Sequence, residues 1–217
     1  ALVGGHSSEG EELSFGLTVN GIGDPATLLR KGGMLPGQAI ILTKPIGTGT
    51  IMAADMRARA RGRWVHAAIN HMTLSNQHAA EILIQHGATA STDITGFGLL
   101  GHLVEMTRAS DVDAELETAA IAIMDGAIEC IENGIFSSLQ PQNVRLRRAI
   151  QDNGFDRESP IFSLLFDPQT AGGLMASVPE ENASKCIEAL KAAGYRHTSQ
   201  IGQVKAKTTN EAPVTLL

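Results

Sequence analysis

The chain has 217 residues, which is enough for one large domain or for one domain and part of another. Its formal net charge of −6 and its aromatic content of 4% argue against a nucleic-acid-binding protein, because such proteins use basic surfaces and aromatic stacking platforms. The sequence contains no apolar run of about 18–20 residues and no basic leader, so it predicts neither a membrane span nor a signal peptide.

The first predicted element is a strand over residues 13–19, where apolar residues alternate with small or polar ones. Residues 20–38 contain five glycines and two prolines, which is typical of a connecting loop. A compact apolar run over residues 39–43 predicts a buried strand, followed by a turn and a helix over residues 51–60. The arginines within residues 57–63 form a basic cluster, and we expect them to lie in solvent at the end of that helix.

The middle of the chain alternates between helices and extended segments. Ser75 is a predicted N-cap for a helix that ends at Gly87, and an extended segment over residues 88–94 leads into a glycine-rich turn. Apolar residues between positions 99 and 106 then give one face of a second helix. A strand over residues 112–116 and a helix over 121–131 follow.

Short strands are predicted over residues 164–166, 174–178 and 201–204, with a helix from Pro179 to Gly194 between the last two. Residues 134–160 have no clear pattern, and residues 206–217 are interpreted as a tail. Together these elements predict an α/β (α+β) fold with a mixed β-sheet flanked by helices. Cys130 and Cys186 fall in separate helical patterns, which indicates small core residues in a reduced, cytoplasmic protein rather than nucleophiles.

The strongest candidate for chemistry is the turn Thr92-Asp93-Ile94-Thr95-Gly96-Phe97-Gly98-Leu99-Leu100-Gly101-His102. It places Asp93 between a predicted strand and a predicted helix. A carboxylate there can hold Mg²⁺, and the N–H groups of a helix start can hold a phosphate. The alternative is that Asp93 only caps the helix, a common role for aspartate.

Two further segments are weaker candidates. In Gly4-Gly5-His6-Ser7, adjacent glycines let backbone N–H groups approach an anion, and a serine adds a hydroxyl donor. The segment 167–173, Asp-Pro-Gln-Thr-Ala-Gly-Gly, joins two predicted strands and can admit a ligand. A plain turn is the alternative in both cases. The seven histidines lack the spacing of a zinc site.

In these segments the chain resembles the selenophosphate synthetase (selenide, water dikinase) family. The 92–102 turn is similar to that family's Thr-Asp-Val-Thr-Gly-Phe-Gly-Leu-Leu-Gly-His signature. The 4–7 and 167–173 segments resemble its Gly-Gly-His-Ser/Thr and Asp-Pro-Gln-Thr-Ser-Gly-Gly stretches. Lys44-Pro45-Ile46-Gly47 resembles a Lys-Pro-Leu-Gly turn of the family.

The resemblance implies the C-terminal half of a homodimeric enzyme in the superfamily of aminoimidazole ribonucleotide synthetase. Residues 1–20 would be the last strand and linker of an N-terminal ATP-binding domain, 21–206 the C-terminal α/β domain, and 207–217 a tail. The implied reaction converts selenide, ATP and water to selenophosphate, AMP and phosphate. Asp93 is implied as a Mg²⁺ ligand. Gly4, Gly5, His6 and Ser7 form the implied ATP-binding segment, across the dimer interface.

The chain departs from the family in two ways. Glu9 stands where the family often has Asp. The family's N-terminal loop, with its reactive Cys or selenocysteine and its Lys, is not in this sequence, so we expect the 217 residues alone not to turn over ATP. Two alternatives stay open: a related ligase or kinase of the same superfamily, and a non-catalytic dimerisation module. The His102-containing turn and the 167–173 segment favour the selenium branch.

Overall fold

A computed structural model describes residues 16–25, 27–209 and 211–217. In those residues seven strands form one sheet: β1 (Ala39–Leu42), β2 (Ala90–Asp93), β3 (Asp113–Leu116), β4 (Ile150–Gln151), β5 (Leu174–Val178), β6 (Ser199–Lys205) and β7 (Val214–Leu216). The α-helices are α1 (Thr48–Met56), α2 (Gly62–Thr73), α3 (Gln77–Gln85), α4 (Gly98–Ser110), α5 (Ala127–Glu132), α6 (Gln140–Asn143), α7 (Pro160–Leu164) and α8 (Glu180–Ala192). Short 3₁₀ helices cover Thr118–Ala120 and Val144–Ala149.

The strand order across the sheet is β2-β5-β1-β6-β3-β7-β4. The pairs from β2 to β3 are antiparallel, whereas β7 pairs in parallel with both β3 and β4. The predicted fold class, a mixed sheet flanked by helices, is therefore confirmed. None of the described helices is long and apolar enough to cross a membrane.

Strand β1 is buried on both faces, which explains why its sequence is a continuous apolar run. Its alternate side chains enter different hydrophobic clusters: Ile40 and Leu42 join the larger cluster, and Ala39 and Ile41 join the smaller one. The larger cluster includes side chains of α1, α2, α4, α5 and α7, and the smaller one those of α3 and α8. Because helices cover both faces of the sheet here, both sides of the strand must be apolar.

The strand predicted over residues 164–166 is wrong. Leu164 ends helix α7, and Leu165 and Phe166 follow it in a tight turn, all three fully buried. Ser159 caps this helix by accepting a hydrogen bond from the Ile161 N–H at 3.3 Å, with Pro160 in the first helical position. A short apolar run fits a buried helix end as well as a strand, and here the cap selects the helix.

The tail predicted over residues 206–217 is also corrected, because its last residues form β7 between β3 and β4. Val214 and Leu216 are fully buried, which the isolated sequence does not reveal in so short a segment. At the other end, the described residues 16–20 form no strand, and the rest of the strand predicted over 13–19 lies outside the described residues. The division of the chain at residue 20 stays a prediction.

Candidate metal site at the Asp93 turn

Asp93 is the last residue of β2, the strand at one edge of the sheet, and lies opposite Leu174 of β5. Its side chain is exposed and lines a cleft of about 460 Å³. The cleft is also lined by Asp24, Leu28 and Ile84. The edge position therefore presents this carboxylate to solvent from a rigid strand.

The structure excludes the alternative that Asp93 caps helix α4. The residue at the N-cap position is Phe97, and no side chain makes a cap hydrogen bond there. The Ile94 N–H donates to the Gly173 carbonyl at 2.9 Å, which continues the pairing of β2 with β5 one residue beyond Asp93. The Asp93 carboxylate is thus not used to start the helix.

The start of α4 packs against the protein rather than facing solvent. Residues 98–102 are buried, and the Leu100 N–H donates to the Leu165 carbonyl at 3.1 Å. Gly98 has φ +71°, and a Cβ built there would lie 2.8 Å from the Phe166 carbonyl carbon. A glycine is required at this position for both reasons. Within this turn, the carboxylate and not the helix start is the group open to a ligand.

His102 fixes the turn from the first part of α4. The Thr95 N–H donates to His102 Nε2 at 3.1 Å, so this nitrogen carries no proton. The proton of the neutral ring is therefore on Nδ1, which lies 3.4 Å from Glu105 Oε2 without hydrogen-bond geometry. Burial lowers the pKa of His102, while the charge of Glu105 opposes that shift. The buried ring thus acts as a neutral acceptor.

The 167–173 segment has a role that the sequence did not assign: it caps helix α1. Gln169 Oε1 accepts hydrogen bonds from the Gly47 N–H at 2.9 Å, the Thr48 N–H at 3.1 Å and the Thr48 hydroxyl at 3.0 Å. Asp167 accepts from the N–H and the hydroxyl of Thr50. Gly47, at the N-cap of α1, has no side chain that could accept these hydrogen bonds. A glycine at an N-cap is therefore the sequence signal that a residue elsewhere in the chain caps the helix.

Asp167 is a buried carboxyl, and burial raises its pKa to about 6, against the opposing effect of its hydrogen bonds from Thr50, Gln169 and Gly49. Lys44, in the turn before α1, is also buried and its pKa is lowered by desolvation. Its ammonium group donates to the carbonyls of Leu74 and Ala171 at 2.6 and 3.3 Å. The polar groups of Asp167 and Lys44 are thus buried and form hydrogen bonds within the protein.

The structure joins the 167–173 segment to the Asp93 turn. Gln169 donates its N–H to the Thr95 carbonyl at 2.9 Å, and the Gly173 carbonyl accepts from Ile94. A Cβ at Gly173 would lie 2.6 Å from the backbone nitrogen of Lys44, so the close approach of these two backbone segments requires a glycine. The two segments, with the turn at 44–47, form one hydrogen-bonded unit behind the Asp93 carboxylate.

The other candidate residues do not add a second ligand beside Asp93 in the part of the chain that the structure describes. Gly4, Gly5, His6 and Ser7 lie outside the described residues. Within the described part of the chain, no three His, Cys, Asp or Glu side chains converge as a metal site, and the cleft that Asp93 lines also contains Asp24. Cys130 and Cys186 are buried and unpaired, and burial raises both thiol pKa values, that of Cys186 to about 11. Such thiols are poor nucleophiles.

Comparison with known proteins identifies the family to which this fold belongs. Residues 36–214 match the family described as AIR synthase related protein, C-terminal domain. The chain is 36% identical over 206 residues to selenide, water dikinase of Clostridioides difficile (strain 630), covering 95% of this chain and 59% of that protein. It is also 36% identical over 207 residues to selenide, water dikinase 2 of Peptoclostridium acidaminophilum, with the same coverages of 95% and 59%. The chain thus spans less than two thirds of the length of these relatives.

The hydrogenase maturation protein HypE has a similar fold, with a TM-score of 0.62 and 17% identity over 90% of this chain and 53% of that one. A structure of HypE in complex with ATP gives a TM-score of 0.59 and 16% identity, covering 87% of this chain and 49% of that one. At these identities the likeness concerns the fold. Since the family match extends from β1 to β7 and the fold agrees with it, the chain belongs to the AIR synthase related protein family as a C-terminal domain of that type.

Proposed function

We propose that these 217 residues are the C-terminal part of a selenide, water dikinase, which makes selenophosphate, AMP and phosphate from selenide, ATP and water. The observation that carries the proposal is the position of Asp93. The 92–102 turn holds its carboxylate in solvent at the sheet edge, on a backbone fixed by the 167–173 segment. Relatives of that name match 95% of the chain, which favours this activity over those of other members of the superfamily.

In this proposal Asp93 is a ligand for Mg²⁺. Its carboxylate oxygens are of the hard type that this cation prefers, and no side chain in the described residues forms an ion pair or hydrogen bond with them. Mg²⁺ in nucleotide enzymes is typically held by one or two carboxylates together with phosphate oxygens, so one carboxylate from this domain suffices. When bound, the ion neutralises charge that develops on the transferred phosphoryl group.

The contribution of the other residues in this proposal is positional. His102 and the Gly173 carbonyl hold the backbone on either side of Ile94, so the strand end that carries the carboxylate is fixed in place. Gly4, Gly5, His6 and Ser7 form the ATP-binding segment, and the enzyme is a cytoplasmic homodimer. The reactive Cys or selenocysteine and its Lys come from the N-terminal part of the enzyme, since Cys130 and Cys186 are buried.

The test is to splice this chain into the C. difficile relative in place of the part that it matches, and to follow selenophosphate formation by ³¹P NMR with Mg²⁺, ATP and selenide. We expect selenophosphate and AMP from the chimera and from its Asp55→Asn variant, in which an exposed carboxylate on α1 is changed. Asp93→Asn should lower the formation of both products by about a hundredfold or more. A chimera that is dimeric and has a cooperative thermal transition, yet forms no selenophosphate, would contradict the proposal.

A further inference from the structure

The structure reveals a basic cluster in addition to the one at residues 57–63. Arg145, Arg147 and Arg148 are exposed on the 3₁₀ helix Val144–Ala149. With Pro141 and Val144 they line a surface concavity of about 500 Å³. None of these residues lines the cleft that contains Asp93, so the concavity is a separate feature of the surface.

The helix geometry places two of the three arginines on one face, and the third lines the same concavity from beside them. A 3₁₀ helix has three residues per turn, so Arg145 and Arg148 lie above one another on one face. Leu146 points the other way and packs on the core, where its Cδ1 would lie 3.2 Å from a Cβ at Gly101. Asn143 anchors the same segment by donating to the carbonyls of Gly96 at 2.8 Å and Phe166 at 3.1 Å. The arginines therefore project from a fixed base.

Their charge is not compensated by the surrounding protein. Some exposed cations elsewhere are paired with carboxylates, such as Lys31 with Glu105 at 2.7 Å and Arg61 with Glu129 at 2.9 Å. No described carboxylate lies within ion-pair distance of the arginines at 145–148. Like charges three residues apart on a helix repel each other, and an anion bound between them would remove that cost.

We propose that this concavity is a binding site for the diphosphate group of a small molecule. Guanidinium groups bind phosphate oxygens in a bidentate manner, and three of them match the charge of two linked phosphoryl groups. The volume is that of a pocket for a nucleotide-sized ligand, and Pro141 and Val144 give it an apolar wall. The negative net charge of the chain disfavours a nucleic acid as the occupant. The proposal is independent of the function proposed above.

The test is isothermal titration calorimetry of the 217-residue chain with sodium pyrophosphate in EDTA, so that no Mg²⁺ site contributes. The triple variant Arg145→Ala, Arg147→Ala, Arg148→Ala should bind at least about a hundredfold more weakly, since each charged hydrogen-bond partner is worth about tenfold. The matched control, Arg59→Ala, Arg63→Ala, Arg196→Ala, removes the same charge elsewhere and should bind like the unchanged chain. Replacing the three arginines by lysine should weaken binding less than replacing them by alanine.

Further titrations identify the source of the diphosphate group. Binding of ADP that is tighter than that of pyrophosphate, with AMP and inorganic phosphate much weaker, assigns the site to a nucleoside diphosphate; equal binding assigns it to free diphosphate. Thermal unfolding without ligand checks that the variants are folded. The proposal is overturned if the unchanged chain binds neither compound at millimolar concentration, or if the control triple variant loses as much affinity as the first.

Discussion

Thr50 and Asp167, which are 117 positions apart, form two hydrogen bonds in the buried start of helix α1. The Thr50 hydroxyl donates to Asp167 Oδ1 at 2.8 Å, and its N–H donates to Oδ2 at 3.2 Å. Gln169 adds a hydrogen bond from its side-chain amide to Oδ2 at 3.0 Å. This contact joins α1 to the 167–173 segment, which also supports the Asp93 turn.

Replacing Asp167 tests how much these hydrogen bonds stabilise the fold. An asparagine can keep its oxygen toward Thr50 N–H and Gln169 while donating to the Thr50 hydroxyl, whereas an alanine leaves the buried donors unsatisfied. We expect Asp167→Ala to have a free energy of unfolding about 3 kcal/mol lower than Asp167→Asn, measured by urea denaturation at pH 7. Both variants are uncharged at this position, so equal stability would show that the hydrogen bonds are unimportant.

The pKa of Asp167 also predicts a pH dependence. Its value of about 6 in the folded chain lies above the ordinary 3.8, so the folded protein binds this proton more tightly than the unfolded chain. Stability from this group therefore falls as the pH rises from about 4 to about 6, by up to about 3 kcal/mol. The stability of Asp167→Asn relative to the unchanged chain should rise over that interval in urea titrations. A relative stability that is flat or falls with pH would contradict the assignment.

His102 predicts a pH dependence of opposite sign. Burial lowers its pKa from 6.5, so the unfolded chain takes up the proton first as the pH falls. The stability associated with the neutral ring is complete above pH 6.5 and is lost progressively below it. We expect the free energy of unfolding to fall less steeply between pH 7 and 5 in His102→Gln, whose amide oxygen can accept from Thr95. Equal slopes for the two proteins would refute a neutral His102.

Gly98 should not tolerate a side chain. Alanine there combines φ +71° with a Cβ only 2.8 Å from the Phe166 carbonyl carbon, so the turn or the 165–166 backbone must move. We expect Gly98→Ala to lower the free energy of unfolding by about 2 kcal/mol or more. Gly62, at the first position of α2, has no atom within 4 Å of a built Cβ and is the control. Gly62→Ala should leave stability unchanged or raise it slightly.

Asp93→Asn should separate function from stability. The side chain is exposed and does not cap α4, so we expect its free energy of unfolding to stay within about 0.5 kcal/mol of the unchanged chain. In the assembled enzyme we expect Mg²⁺-dependent selenophosphate formation to fall by about a hundredfold or more. Near-normal turnover at saturating Mg²⁺ would rule out the metal role, and a large loss of stability would point to a structural role instead.

The local sequence determined the elements whose pattern is long or distinctive. The apolar run at 39–43, the helix that ends at Gly194 and the turn at 92–102 are all located correctly, because burial on two faces, helical periodicity and glycine stops are local signals. The same signals failed for 164–166 and for β7, where three residues are too few to define a period.

Only the tertiary structure decided what the polar residues do. The 92–102 turn identifies Asp93 from the sequence, but the fold shows that its carboxylate is exposed and does not cap α4. It also assigns Asp167 and Gln169 to the start of α1, a helix more than 100 positions away. The physical reason is that hydrogen-bonding groups buried on folding must be satisfied by whichever atoms the packing brings near, and no local pattern records that choice.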